Sequence, residues 1–205
     1  MAFSLPTNVD FNAVDWRLTD AREISRSELT GSALIVDRNA SIWTAKLVLP
    51  PMTTDEASAW EVAFLKARTE PFYLSPPLRS QPKAYRDGDT NIGTPLVDGA
   101  SQTGTTLSTD GWYPAFEINA GDYISFSNGT FEELHMVMAD VTASGAGEAD
   151  LVLEPPIRIS PANNAIIRWS SPRAEMIVAQ GQDFITSIGA GLSVSLEIEV
   201  AERLS

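Results

Sequence analysis

The amino-acid sequence predicts a mainly β protein, an antiparallel β-sandwich or barrel carrying one α-helix. Three observations lead there. Short apolar segments separated by turn signals fill the chain from residue 112 onward. The clearest segments alternate apolar and polar residues with the period of a strand. Only residues 54–68 show helical periodicity. The chain reads as a single domain over 1–205, with strands and the helix in 1–74, an extended loop or arm in 75–111 and an all-β part in 112–205.

Taken in order, "SALIVD" (32–37) reads as a strand with Leu34 and Val36 on one face. "SIWTAKLVL" (41–49) places Trp43, Ala45, Leu47 and Leu49 on one side, with Ser41, Thr44 and Lys46 on the other. Pro50 and Pro51 end it, because neither can donate to a ladder. Thr53 and Glu56 have capping-box spacing, and Asp55 complements the dipole of the first turn. Ala57, Trp60, Phe64 and Ala67 then recur at three- and four-residue steps, a stripe that belongs in a core. Pro71 closes the helix and "FYL" (72–74) returns as a strand.

Residues 75–111 are rich in Pro, Gly, Ser and Thr, with room for a short strand at "TPLVDGA" (94–100). A loop this long reads either as a surface excursion or as an arm that orders against a neighbouring copy. Beyond it, strands are expected at 112–118, 122–126, 133–142, 148–154, 165–169, 174–179 and 192–201. The turns between them carry Asp110-Gly111, Ala120-Gly121-Asp122, Asn128-Gly129, Gly145-Ala146-Gly147, Asn163-Asn164 and Gly189-Ala190-Gly191. In the last strand Val194, Leu196, Ile198 and Val200 point inward and Ser195, Glu197 and Glu199 outward.

The 43% hydrophobic content suffices for a real core, and no apolar run has the length of a membrane span. The first residues lack the basic and apolar blocks of a signal peptide. The absence of cysteine removes disulfides and thiolate metal sites, and suits a reducing cytoplasm. Fourteen basic against 27 acidic residues give a net charge of −13, which disfavours a phosphate-gripping surface but suits a wall that nucleic acid passes without sticking.

No catalytic signature emerges. The single histidine, His135, lies on the strand face opposite Leu134, Met136 and Met138. With Asp140 and a serine it could in principle form a triad, but no nucleophile elbow occurs, and a structural role is expected. Asp87, Asp89, Asn91 and Asp98 fall in a calcium-loop register; Ile92 replaces its turn glycine and Pro95 interrupts it, so ordinary turns are expected. Two N-x-S/T triplets, at Asn39 and Asn128, carry no weight without a secretory signal. No catalytic residue, cofactor or metal site is therefore assigned. Trp112, Tyr113, Tyr123 and Trp169 could stack on sugar rings if exposed, which keeps a carbohydrate-binding sandwich as an alternative.

The succession from Gly111-Trp112 resembles the C-terminal half of distal tail and related baseplate proteins of long-tailed, non-contractile bacteriophages. The matching parts are the Ala120-Gly121-Asp122 turn with Ile124 and Phe126, the strand end at Asp140-Val141, the Gly145–Gly147 turn, and Leu151–Leu153 leading to Pro155-Pro156-Ile157-Arg158. Upstream, the Trp43 strand, the double proline, "EASAWEVAFLKA" and "PFYLSPP" resemble the strand–helix–strand order around tail-tube-like sandwiches. The resemblance covers most of 40–180 and departs in 75–111 and at the N-terminal segment. It implies a virion protein assembled in the host cytoplasm, a hexameric, homo-oligomeric ring between the tail-tube protein and the baseplate hub protein. DNA crosses its lumen without being specifically bound, and no membrane or enzymatic activity is involved. Tail-tube and tail-terminator subunits are the nearest related roles.

Overall fold

The computed structural model describes residues 2–20, 23–28, 30–36, 40–77, 79–179, 185–188 and 194–203. Strand outweighs helix, 46% to 9%, so the mainly β expectation holds. The first elements are β1 (Phe3–Ser4), β2 (Ala13–Thr19), β3 (Glu23–Arg26), β4 (Ala33–Val36) and β5 (Ile42–Val48). Helix α1 (Thr54–Lys66), β6 (Phe72–Leu74) and the one-turn helix α2 (Lys83–Arg86) follow. Next come β7 (Gly93–Val97), β8 (Gly104–Trp112), β9 (Glu117–Ile118), β10 (Tyr123–Ser127), β11 (Glu132–Val137), β12 (Val141–Thr142) and β13 (Ala149–Ile157). The chain continues through β14 (Ile167–Arg168), β15 (Ala174–Val178), β16 (Ile185–Ile188) and β17 (Val194–Glu202).

The first sheet runs β1-β6-β15-β17-β5-β2, with β16 also paired to β17. Its β1–β6 pair is parallel, while β6, β15, β17, β5 and β2 follow one another antiparallel. Alternation places Trp43, Ala45, Leu47 and Leu49 inward, and opposite them on β17 Val194, Leu196, Ile198 and Val200, all buried. Ser41, expected outward, is buried as well, because its carbonyl accepts a hydrogen bond from the Arg158 side chain.

Helix α1 covers one part of this face. Thr53 caps it: its hydroxyl accepts from the Glu56 amide while the Glu56 carboxylate accepts from the Thr53 amide at 2.9 Å. Ala57, Trp60 and Phe64 are buried as the stripe predicts, with Phe11 edge-on to Trp60 at 5.3 Å. The helix ends two residues short of the expected boundary, with Ala67 as its buried C-cap.

The second sheet, β14-β10-β11-β13-β8-β7, is antiparallel throughout. Its ends approach one another: Leu96 bridges Ile166, the Val97 amide donates to Ala165 O, and the Asn164 amide donates to Val97 O. The sheet thus curls into a nearly closed barrel around Leu107, Trp112, Phe116, Ile124, Phe126, Val137, Leu151, Leu153 and Ile167.

The expected loop over 75–111 is corrected by this barrel, since it holds α2, β7 and most of β8. β8 reads as "GTTLSTDGW", where Thr109 takes an inward place beside Leu107 and hides the apolar alternation. Pro95 is tolerated in β7 because the register shifts between Gly93 and Leu96. The expected strand 112–118 divides into the end of β8 and β9, and 133–142 into β11 and β12. β1, β2, β3 and β16 were not anticipated. The Gly189-Ala190-Gly191 turn, the start of the strand expected at 192 and Asn39 lie outside the described residues.

The glycine turn 145–147 forms as expected. Gly147 adopts φ +82°, and a Cβ there would collide with the Trp112 carbonyl. Gly147→Ala should therefore lower the unfolding free energy by about 2 kcal/mol, from left-handed strain plus backbone collision. Urea denaturation measures this, and an unchanged midpoint contradicts it.

Candidate functional site

The β10–β11 hairpin sits between the two hydrophobic cores. Tyr123 pairs with Met136, Ile124 with His135, Ser125 with Leu134 and Phe126 with Glu133. Ile124, Phe126 and Val137 face into the barrel, whereas Tyr123, Leu134 and Met136 pack into the core of the first sheet. Trp43 joins the two sides: its indole N–H donates to Leu134 O at 2.9 Å and its ring meets Tyr123 edge-on at 5.6 Å. At the start of this hairpin Asp122 accepts from the amides of Asn119 and Lys83, tying the turn to the first residue of α2. Burial pushes the Asp122 carboxyl up from its usual value against those two bonds.

A buried polar group follows the same hairpin. His135 is 0% exposed, stacked on Phe126 at 4.8 Å, with Nδ1 2.7 Å from Pro155 O. A carbonyl can only accept, so Nδ1 carries the proton. Nε2 lies 3.5 Å from Glu133 Oε2 and makes no hydrogen bond among the described residues. Glu133 also accepts from the Asn128 side chain and the Arg158 amide. Burial alone would raise its carboxyl, but the His135, Asn128 and Arg158 contacts outweigh burial and hold it below its ordinary value. Arg158 reaches Glu202 at 3.3 Å, and Glu202 accepts from the Trp43 amide; here burial prevails and pushes the carboxyl up. His135 is enclosed and oriented as a strand residue. Asp140 is engaged elsewhere, accepting from the Ala120 amide, so the two do not come together.

Where the sheet and barrel meet, an open cleft of about 740 Å³ is lined by Tyr73, Phe131, Ile166, two glutamates (Glu132, Glu175) and three arginines (Arg168, Arg173, Arg203), among others. Glu132 is only 8% exposed. Its Oε1 accepts from Ser125 Oγ at 3.0 Å and Arg168 Nε at 2.9 Å, and its Oε2 from Arg173 Nε at 2.7 Å. Arg203 Nη1 lies 3.4 Å from Glu175. Nothing in the sequence singled these residues out, because they come from four separated segments.

A second exposed feature is the β3–β4 ribbon. Among the described residues these two strands pair only with each other. Ile24, Leu34 and Val36 are exposed on it, Leu34 to 64%.

The other expected residues scatter. Trp112 belongs to the barrel core and Tyr123 to that of the first sheet, at 3% and 6% exposure. Trp169 is half-buried against Tyr85, and Tyr113 alone is exposed. They form no sugar-stacking platform. Asp87 pairs with Lys83 and Asp89 accepts from the Asn91 amide, an Asx turn, while Asp98 lies beyond the end of β7. Among the described residues no cluster of three potential ligands gathers for a metal ion, and no helix is long and apolar enough to cross a membrane.

Glu133 gives a signed pH dependence. Its folded value is depressed, so its contribution is present above the ordinary 4.5 and is lost as the pH falls through the folded value. Glu202 acts in the opposite sense, its contribution fading as the pH rises through the elevated folded value. Wild type should melt above Glu133→Gln at neutral pH, and the gap should shrink on acidification below 4.5. A gap that is constant with pH contradicts the ionised assignment.

Set beside known proteins, the chain matches no family model and no curated protein.

Proposed function

We propose that this chain is a structural protomer of a phage tail tip, forming a hexameric ring that joins the tail tube to the baseplate hub and leaves a lumen for DNA. The observation that carries the reading is the β3–β4 ribbon. A lone two-stranded ribbon is marginal in water, and one that displays Ile24, Leu34 and Val36 gains stability when a neighbour covers it. Among the described residues the first sheet also ends on β2, seven residues long, an edge without a further strand in the chain segment just before the ribbon. A ribbon on one copy meeting a different surface on the next is a heterologous contact, the type that closes into a ring by rotation.

The sequence resemblance supplies the tail-tip assignment, and the excess of acidic residues suits a lumen that does not retain a polyanion. The work asked of the protein is rigidity, self-association and non-adhesion.

Light scattering after size exclusion, with negative-stain images, tests this. Wild type should form annular oligomers, and Leu34→Glu with Val36→Glu should give a folded monomer, since both side chains are exposed in the isolated chain. A wild type that stays monomeric at every concentration overturns the ring. Rings that survive both substitutions remove the ribbon from the interface.

A further inference from the structure

The cleft between the sheet and the barrel has the features of a built anion site. Arg168 and Arg173 each donate through Nε to a different oxygen of Glu132, which fixes both guanidinium groups around one carboxylate. The Arg173 guanidinium also lies over the Tyr73 ring, 3.6 Å from its centroid. Contact with a ring covers a face of the guanidinium and leaves its in-plane donors open. The terminal amino groups of both arginines have no hydrogen-bond partner among the described residues. These donors are held in place before any ligand arrives, so binding loses little side-chain entropy.

The charge balance narrows the ligand. Among the described residues three arginines and two glutamates line the cleft, on a chain whose net charge is −13. The two carboxylates already present repel a dianion more strongly than separate, singly charged carboxylates. Guanidinium forks match carboxylates in plane. The volume, about 740 Å³, far exceeds a single ion and is of the size that holds several connected groups. Ile166 stands on the rim, 71% exposed, the highest value among the described large hydrophobic residues.

We propose that this cleft binds an acidic peptide segment of a partner protein, its carboxylates taken by the terminal amino groups of Arg168 and Arg173 and a neighbouring apolar side chain by Ile166. The site goes beyond the ring reading and does not depend on it, because one chain supplies every lining residue.

Fluorescence anisotropy with a labelled peptide alternating Glu and Val tests the proposal, with a Gln–Val peptide as control. Wild type should bind the Glu–Val peptide saturably and the Gln–Val peptide not at all. The Arg168→Gln, Arg173→Gln double variant should bind about tenfold or more weakly, whereas Arg68→Gln, at an exposed position outside the cleft, should bind as wild type does. Should the double variant not fold, Ile166→Glu places a repelling charge on the rim at an exposed position and should abolish binding. Wild-type binding by the folded double variant or by Ile166→Glu, or binding of the Gln–Val peptide, overturns the proposal. Displacement by inorganic phosphate at constant ionic strength also overturns it, by showing a general anion site. Binding can be read whatever the oligomeric state, so a monomeric protein that binds separates this site from the ring.

Discussion

The architecture depends on one hairpin being buried on both faces. β10 and β11 complete the barrel with Ile124, Phe126 and Val137, and the same two strands close the core of the first sheet with Tyr123, Leu134 and Met136. Apolar area removed from water stabilises by about 25 cal/mol per Å². A hairpin that contributes on both sides couples the two cores, since neither keeps its packing if the hairpin leaves. The Trp43 indole bond to Leu134 O adds a directional link across that wall.

Two-sided burial also places polar groups where water cannot serve them, and each must find a partner inside the protein. Glu133 and His135 face the barrel side and are answered by Asn128, Arg158 and Pro155. Glu132, on the other face, is answered by Ser125, Arg168 and Arg173. The arginine cleft follows from that second requirement: the groups that satisfy Glu132 reach it through Nε, so their outer donors turn toward the solvent. A framework constraint and a binding surface thus share one carboxylate.

Much of the framework was legible in the residues. The alternation of β5 and β17, the Thr53–Glu56 box and the Trp60–Phe64 stripe are local patterns, and each appears with the expected face buried. Placing His135 opposite Leu134 and Met136 was correct for the same reason. β8 escaped because Thr and Ser fill strand positions without raising hydrophobicity, and its inward Thr109 is satisfied by donating to Ala149 O at 2.6 Å and accepting from the Trp112 indole. The bond to Ala149 is long-range and no window of sequence contains it. The aromatic set failed as a sugar platform because a strand position fixes the alternation but not which sheet lies opposite, so Trp112 and Tyr123 went to different cores. The arginine cleft was illegible because its residues lie far apart in the chain. The exposed apolar face of the β3–β4 ribbon escaped as well, because the exposure of Ile24, Leu34 and Val36 is revealed only by the folded chain.

Native-state hydrogen exchange at residue resolution tests the coupling most directly. The amides of β10 and β11 should be among the slowest, and core strands of the sheet (β5, β17) and of the barrel (β8, β13) should open with the same free energy and denaturant dependence, in one global event. Distinct opening free energies for the two sets, with the hairpin following only one of them, would contradict it.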